Sequence, residues 1–270
     1  MSIRATGARG VRALLATALA TAACALTPLA ADAATVTVRV EGRSGTLLSS
    51  TSVTIGSGSG TARTWNGVGT LPQRCADDTA YQATELATRG TWDRGGYVET
   101  ILGESHTWSP DEEYWILYHD NNFADWGACG LHLSDGDTVL WQAGKSGPSP
   151  SYIPDAIPIF LDRVTPATGT IRPGRTLKVK LTAYKPTDIF GTQDPNDPNH
   201  WIIPPSPATH PAGYTVTAGT STATTDSLGE ATLTVPSVSG TYSVQANVPG
   251  SSSNWSRSIP FTICVSNSAC

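Results

Sequence analysis

A mainly β protein is the fold class that this chain predicts, and three observations carry it. Gly and Pro together supply 45 of 270 residues, too many turn formers for a helical bundle. Short runs alternate apolar and polar residues with period two. One segment alone combines a helical stripe with start and stop signals. Charged residues make only 14% of the chain, and eight Trp with eight Tyr supply large apolar bodies, so the composition fits a folded protein rather than a disordered one.

Taken in order, Thr35-Val36-Thr37-Val38-Arg39-Val40-Glu41-Gly42 places Val36, Val38 and Val40 on one face of a strand, and residues 45–55 read as the returning arm of a hairpin. Gly56-Ser57-Gly58-Ser59-Gly60 lacks the Lys and hydroxyl residue of a phosphate loop and is read as a turn. The helix is predicted from about Thr79 to Arg89. Asp78 or Thr79 caps it, Gln82 takes the capping-box position and Gly90 stops it. Ala80, Ala83, Leu86 and Ala87 form its expected buried stripe, with Tyr81 covering the edge. Strands follow at 97–102, 114–119 and 138–141, the last entered through the turn Ser134-Asp135-Gly136-Asp137.

A break at Gly144-Lys145-Ser146-Gly147-Pro148-Ser149-Pro150 marks a linker, which divides the chain into an export segment at 1–33, a first domain at 34–143, a linker at 144–156 and a second domain at 157–270. The second domain alternates strands and turns: 177–181, 214–216, 221–225, 231–235, 242–246 and 259–264. Spacing this regular predicts a two-sheet sandwich. Residues 225–231 read as a hairpin turn with Gly229 at positive φ, and the proline-rich stretch 187–211 reads as a surface loop.

Arg4, Arg9 and Arg12 precede the apolar run from Ala13 to Ala25, and Ala31-Asp32-Ala33 supplies a cleavage motif. Cleavage near Ala33 makes the protein secreted; a lipid anchor at Cys24 is the alternative reading. The mature chain then holds 14 basic and 21 acidic residues, which argues against a nucleic-acid partner, and no further apolar run is long enough to span a bilayer. Four cysteines remain after cleavage, an even number suited to an oxidising compartment. Four thiols permit three pairings, and Cys75 with Cys129 and Cys264 with Cys270 are expected because each pair stays inside one domain.

Several of these segments form a recognisable series: the hairpin strand at 35–42, Cys75 before a short helix, Tyr97-Val98-Glu99-Thr100-Ile101-Leu102-Gly103-Glu104, Tyr114-Trp115-Ile116-Leu117-Tyr118, Gly127-Ala128-Cys129, and a Gly136-Asp137 entry to a final apolar strand. The series resembles the transcobalamin-like C-terminal domain family over about 110 residues, which implies a β-grasp-like α+β domain. The second domain resembles immunoglobulin-like and carboxypeptidase-regulatory-like sandwiches, and the closing Cys264 and Cys270 are typical of such exported proteins. In the family's best-known setting the domain covers a corrinoid held by a separate helical domain. This chain has no such helical partner, so the resemblance bears on fold more than on cobalamin, for which His106, His119 or His132 would be the candidate cobalt ligand.

Catalytic signals are weak. Ser105 or Ser134 with His119 and Asp120 would make a Ser-His-Asp set, but no nucleophile elbow is present, and His119 and Asp120 point apart if both lie in a strand. Asp111-Glu112-Glu113 reads as a solvated turn and Asp135-Gly136-Asp137 as turn chemistry rather than a calcium loop. The candidate ligand-binding residues are Trp115, Tyr118, His119, Asn121, Asn122 and Trp126, where aromatic faces and amides adjoin; the plain alternative is that the tryptophans are core. The function expected is that of a non-catalytic secreted or cell-surface binding protein, without cofactor or metal. Its partner would be an extracellular protein, a glycan or a small molecule, with a cobalamin-like ligand and a secreted hydrolase as the alternatives.

Overall fold

The sequence is described by a computed structural model covering residues 33–64, 69–71, 73–107, 113–124, 127–195, 197–247 and 256–268. The predicted export segment up to residue 32, Trp126, Cys270 and Asp111-Glu112 lie outside the described residues.

Strand β1 (Ala34–Glu41) buries Val36, Val38 and Val40 completely on one face, as its alternation predicts, and turns back as β2 (Thr46–Ile55) in an antiparallel hairpin. Next come the short pair β3 (Thr61–Ala62) and β4 (Arg74–Cys75), the helix α1 (Ala80–Thr88), and the short pair β5 (Thr100–Ile101) and β6 (Glu104–Ser105). The half closes with β7 (Glu113–His119), β8 (Asn122–Phe123), a single helical turn at Gly127–Gly130 and β9 (Thr138–Lys145). The sheet runs β2-β1-β9-β7-β8, with β9 parallel to β1 and every other adjacent pair antiparallel. A hairpin, a crossing helix and a last strand inserted beside the first make the β-grasp-like arrangement.

The Ser134-Asp135-Gly136-Asp137 turn sets that parallel pairing. Asp135 Oδ1 accepts from the Thr35 amide at 2.8 Å, and Gly136, at φ 89°, donates its own amide to the Thr35 carbonyl at 2.9 Å. Only Gly adopts such a φ without strain, so the turn can dock on the start of β1.

Helix α1 starts and stops where its signals predict. Thr79 is the cap, through a long 3.5 Å contact from the Gln82 amide, and Arg89 ends the helix in the left-handed region ahead of Gly90. Its buried face differs from the expected stripe. Ala80, Ala83 and Ala87 are buried, but Leu86 is 41% exposed, while Tyr81, Thr84 and Thr88 are buried in its place. Thr84 and Thr88 donate to the carbonyls of Ala80 and Thr84 at 2.7 Å, which satisfies their hydroxyls within the helix and lets polar residues take a core face. Trp141 completes the arrangement by donating to Thr84 Oγ1 at 2.8 Å.

The second half is a sandwich of antiparallel sheets, as its regular spacing predicts. Its strands are β10 (Ile159–Thr165), β11 (Thr176–Tyr184), β12 (Thr192–Asp194), β13 (Asp197–Ile202), β14 (Ala208–Thr209), β15 (Thr215–Ala218), β16 (Ser221–Thr224), β17 (Glu230–Thr234), β18 (Gly240–Asn247) and β19 (Phe261–Val265). One sheet joins β10, β11, β14 and β17; the other runs β16-β15-β18-β19. Leu177, Val179, Leu181 and Ala183 face Val216, Val244 and Ile263 across a core separate from that of the first half.

Three local expectations are corrected. The stretch 187–211 is not wholly loop: β12 and β13 form a two-stranded hairpin, and β14 pairs with β11. A ribbon with open edges tolerates proline, so the composition that suggested a loop did not exclude pairing. Residues 225–231 do not close a hairpin, because β16 and β17 belong to different sheets; the turn, with Gly229 at φ 71°, carries the chain between layers. The strand expected at 97–102 reduces to Thr100–Ile101, since the Asp93 carboxylate accepts from the Glu99 and Thr100 amides and holds the approach as a loop.

The predicted linker is tightly folded. Gly144 and Lys145 extend β9, the Lys145 amide donates to Asp155 Oδ1 at 2.8 Å, and Tyr118 Oη donates to the Ala156 carbonyl at 2.6 Å. A side chain at Gly144 would meet Ile116 Cδ1 at 2.5 Å and Ala156 Cβ at 2.7 Å, so this position needs glycine for the close approach. Ile116, Tyr118 and Ala156 form a small core here, which covers the β7 face opposite the helix.

Burial of phenols sets an alkaline limit. Loss of water holds Tyr81 and Tyr114 up at about 12 and drives Tyr118 well above its ordinary value. A phenol raised in the folded state adds stability that is complete below its unfolded value of about 10 and is lost as pH rises through the folded value. Unfolding midpoints in urea are therefore expected to be flat from pH 8 to 9.5 and to fall between pH 10 and 12. Tyr118→Phe, which keeps the ring but has no phenol to ionise, should reduce that fall; an unchanged profile would refute the assignment.

Candidate functional site

The sequence-predicted ligand residues separate into different environments. Trp115 is 5% exposed and belongs to the main core with Leu117, while Ile116 and Tyr118 face the other way, the split that strand alternation predicts. Tyr118 is fully buried and bound to Ala156. His119 ends β7. Asn121 occupies the following turn at φ 69°, and Asn122 Oδ1 accepts from the Ser206 amide of the sandwich at 2.8 Å.

His119 and Asp120 do not point apart as a continuous strand would require. The strand stops at His119 and Asp120 enters the left-handed region at φ 46°, which swings its carboxylate back to 3.6 Å from His119 Nε2. Asp137 Oδ2 lies 2.9 Å from the same nitrogen. Among the described residues these three form the one group whose nitrogen and oxygens lie close enough, within 4.8 Å, to share a metal ion. Both carboxylates already serve the backbone, however: Asp120 Oδ1 accepts from the Thr138 amide at 2.8 Å and Asp137 Oδ2 from the Ser134 amide at 2.8 Å. The group braces the ends of β7 and β9. Neither Ser105 nor Ser134 presents its hydroxyl to His119; Ser105 Oγ pairs with Thr100 Oγ1 at 2.7 Å.

A second polar group was not legible as one. Glu113, grouped by sequence with a solvated acidic turn, starts β7 and is 5% exposed. His106 bridges Glu113 and Glu104, with Nδ1 3.1 Å from Glu113 Oε2 and Nε2 2.6 Å from Glu104 Oε1, and Arg43 pairs with Glu113 from the hairpin. The buried imidazole then packs edge-on against Trp115, ring centroids 4.8 Å apart. That contact, with a 3.1 Å hydrogen bond from Trp115 Nε1 to the Glu99 carbonyl, fixes the indole.

The fixed indole lines a cavity of about 960 Å³ at the edge of β7, left open because β8 covers only the Tyr118–His119 end of that strand. Its walls combine Trp115, Leu117, Val98 and Ala124 with the Gly127–Gly130 turn, which the Cys75–Cys129 disulfide ties to β4. Tyr97, 85% exposed, adjoins it, and Arg63 and Glu99 supply charge. Of the predicted ligand residues within the described set, Trp115 alone is on this lining. Arg63, Val98 and Glu99 were missed because they come from segments that meet only through the disulfide and the loop held by Asp93. The paired Gly95-Gly96 ahead of Tyr97 was the local signal of a close approach.

No helix among the described residues is long and apolar enough to cross a membrane. Cys75 and Cys129 are bonded as expected; Cys264 is also in a disulfide, and its expected partner Cys270 lies outside the described residues. No curated protein and no solved structure matches the chain. Residues 77–145 match the family model described as a domain of unknown function, DUF4430, a span that takes in α1, β7, β9 and much of the cavity wall but not the β1–β2 hairpin. The first half thus carries a DUF4430 domain at residues 77–145, and the C-terminal domain is unassigned.

Proposed function

We propose that this is an exported, non-catalytic binding protein whose recognition site is the cavity beside β7. The observation that carries the reading is a concave site of about 960 Å³, within the size range of small-molecule pockets, walled by a braced indole and apolar side chains. The disulfides and the amino-terminal export signal support an extracellular setting. Reactive groups are committed elsewhere: His106, His119 and His132 each face a carboxylate, at 2.6, 2.9 and 2.8 Å, and neither candidate serine meets a histidine. Of the three, His106 alone has both ring nitrogens facing carboxylates, which counts against it as the cobalt ligand of the transcobalamin-like reading in its corrinoid form.

The mature chain is expected to show no turnover of ester, glycoside or peptide chromogenic substrates over a day at 10 µM protein. Hydrolysis that His119→Ala abolishes, with the fold intact by circular dichroism, would replace this reading with a hydrolase.

A further inference from the structure

We propose that the cavity beside β7 takes a small organic carboxylate, its apolar body against Trp115 and Leu117 and its carboxylate paired with Arg63. The inference deepens the reading of the cavity as a ligand site and rests on it. Arg63 is a half-buried lining residue whose Nε is sealed from solvent and has no hydrogen-bond partner. Among the described residues no carboxylate forms an ion pair with its guanidinium, although Arg39, Arg43, Arg94 and Arg257 all find one. Its head group lies over Gly96, where an added side chain would come within 3.1 Å of Nη2. Gly96 thus leaves room for the guanidinium at the cavity wall.

A guanidinium nitrogen sealed from water without a partner is costly, and departures from full pairing concentrate where a ligand completes them. The fork geometry of Arg selects a planar anion over a point charge, and charge-assisted pairs are about twice as strong as neutral ones. The wall opposite is apolar and aromatic, which calls for a hydrophobic body on that anion. Among the described residues Glu99 is the one acid on the lining and forms no ion pair with Arg63, so it disfavours a second negative charge and points to a monocarboxylate.

The test uses the full mature chain and a panel of aryl and alkyl monocarboxylates, each with its primary amide and its amine of the same body, measured by tryptophan fluorescence and saturation-transfer NMR. Carboxylates should bind at least tenfold more tightly than their amides. Arg63→Gln should reduce that ratio below threefold while leaving amide binding in place, and Arg63→Lys should restore part of it. The Tm of Arg63→Gln should not fall, because the side chain it removes has no partner to lose. Equal binding of acids and amides, or a preference for amines that Glu99→Gln removes, overturns the anion inference and leaves the cavity reading standing. Binding by no member of the panel overturns the cavity reading and the inference together.

Discussion

Glu41→Ala is expected to lower the unfolding free energy by roughly 3 to 5 kcal/mol, the range for breaking a buried ion pair by removing one partner. Glu41 is fully buried and sits between two guanidinium groups: Arg39 Nε donates to Oε1 at 2.7 Å and Arg257 Nη1 to Oε2 at 3.0 Å. Thr46 Oγ1 donates to Oε1 at 2.8 Å. Burial already pushes the Arg39 guanidinium below its ordinary value, and the attraction of Glu41 opposes that push, so deleting the carboxylate leaves two poorly hydrated cations facing each other. Arg39→Met with Glu41→Leu and Arg257→Met should recover much of the loss, since a packed apolar set does not carry the desolvation cost. Recovery will be incomplete, because Arg257 also donates to the carbonyls of Gly42 and Arg43 at 2.7 and 2.9 Å. Urea unfolding of the three chains decides the matter. A Glu41→Ala chain within 1 kcal/mol of the parent would show that the triad does not hold the fold.

Removing the Cys75–Cys129 bridge is the second large effect. The two residues are 54 apart in sequence, and closing a loop of that length restricts the unfolded chain by about 4 kcal/mol. The double variant Cys75→Ala with Cys129→Ala should therefore lose about that much in non-reducing buffer, and reduction of the parent should lower its stability in the same direction. The bond also anchors the Gly127–Gly130 turn, so the cavity wall should loosen before the sheet does. Hydrogen exchange gives the check: protection at residues 127–133 should fall more than protection in β1 and β9. Uniform loss across the domain would mean that the bridge acts on the unfolded chain alone.

Both effects show what a linear pattern reveals and what it hides. Val36, Val38 and Val40 announced the buried face of β1 because period two is a local property. Arg39 and Glu41, on the opposite face, read as the solvent side of a half-buried strand, whereas both are buried: their cover is Arg257, 216 residues beyond Glu41. Glu113 misled for the same reason, its partners Arg43 and His106 lying in other elements. Leu86 misled because Thr84 and Thr88 hide their polarity inside the helix. At the candidate site, Trp115 was legible as an aromatic at a strand position, and its place on both the core and the cavity wall answers whether it serves packing or recognition. Arg63 was not legible, for its significance is the lack of a partner, and that emerges only when the surrounding side chains are placed.

Strand β1 also governs how the whole mature chain should move in solution. Its Val face belongs to the β-grasp core and its charged face to a grip on Arg257 of the sandwich, while Asn122 reaches Ser206 and Tyr118 reaches Ala156. Two halves joined by one flexible tether would tumble with separate correlation times; halves clasped at Arg257 and Ser206, with the linker docked on Tyr118, should share one diffusion tensor. A ligand held at the edge of β7 would then keep a constant bearing toward whatever the sandwich touches, so that occupancy at one end is presented at the other in a fixed orientation.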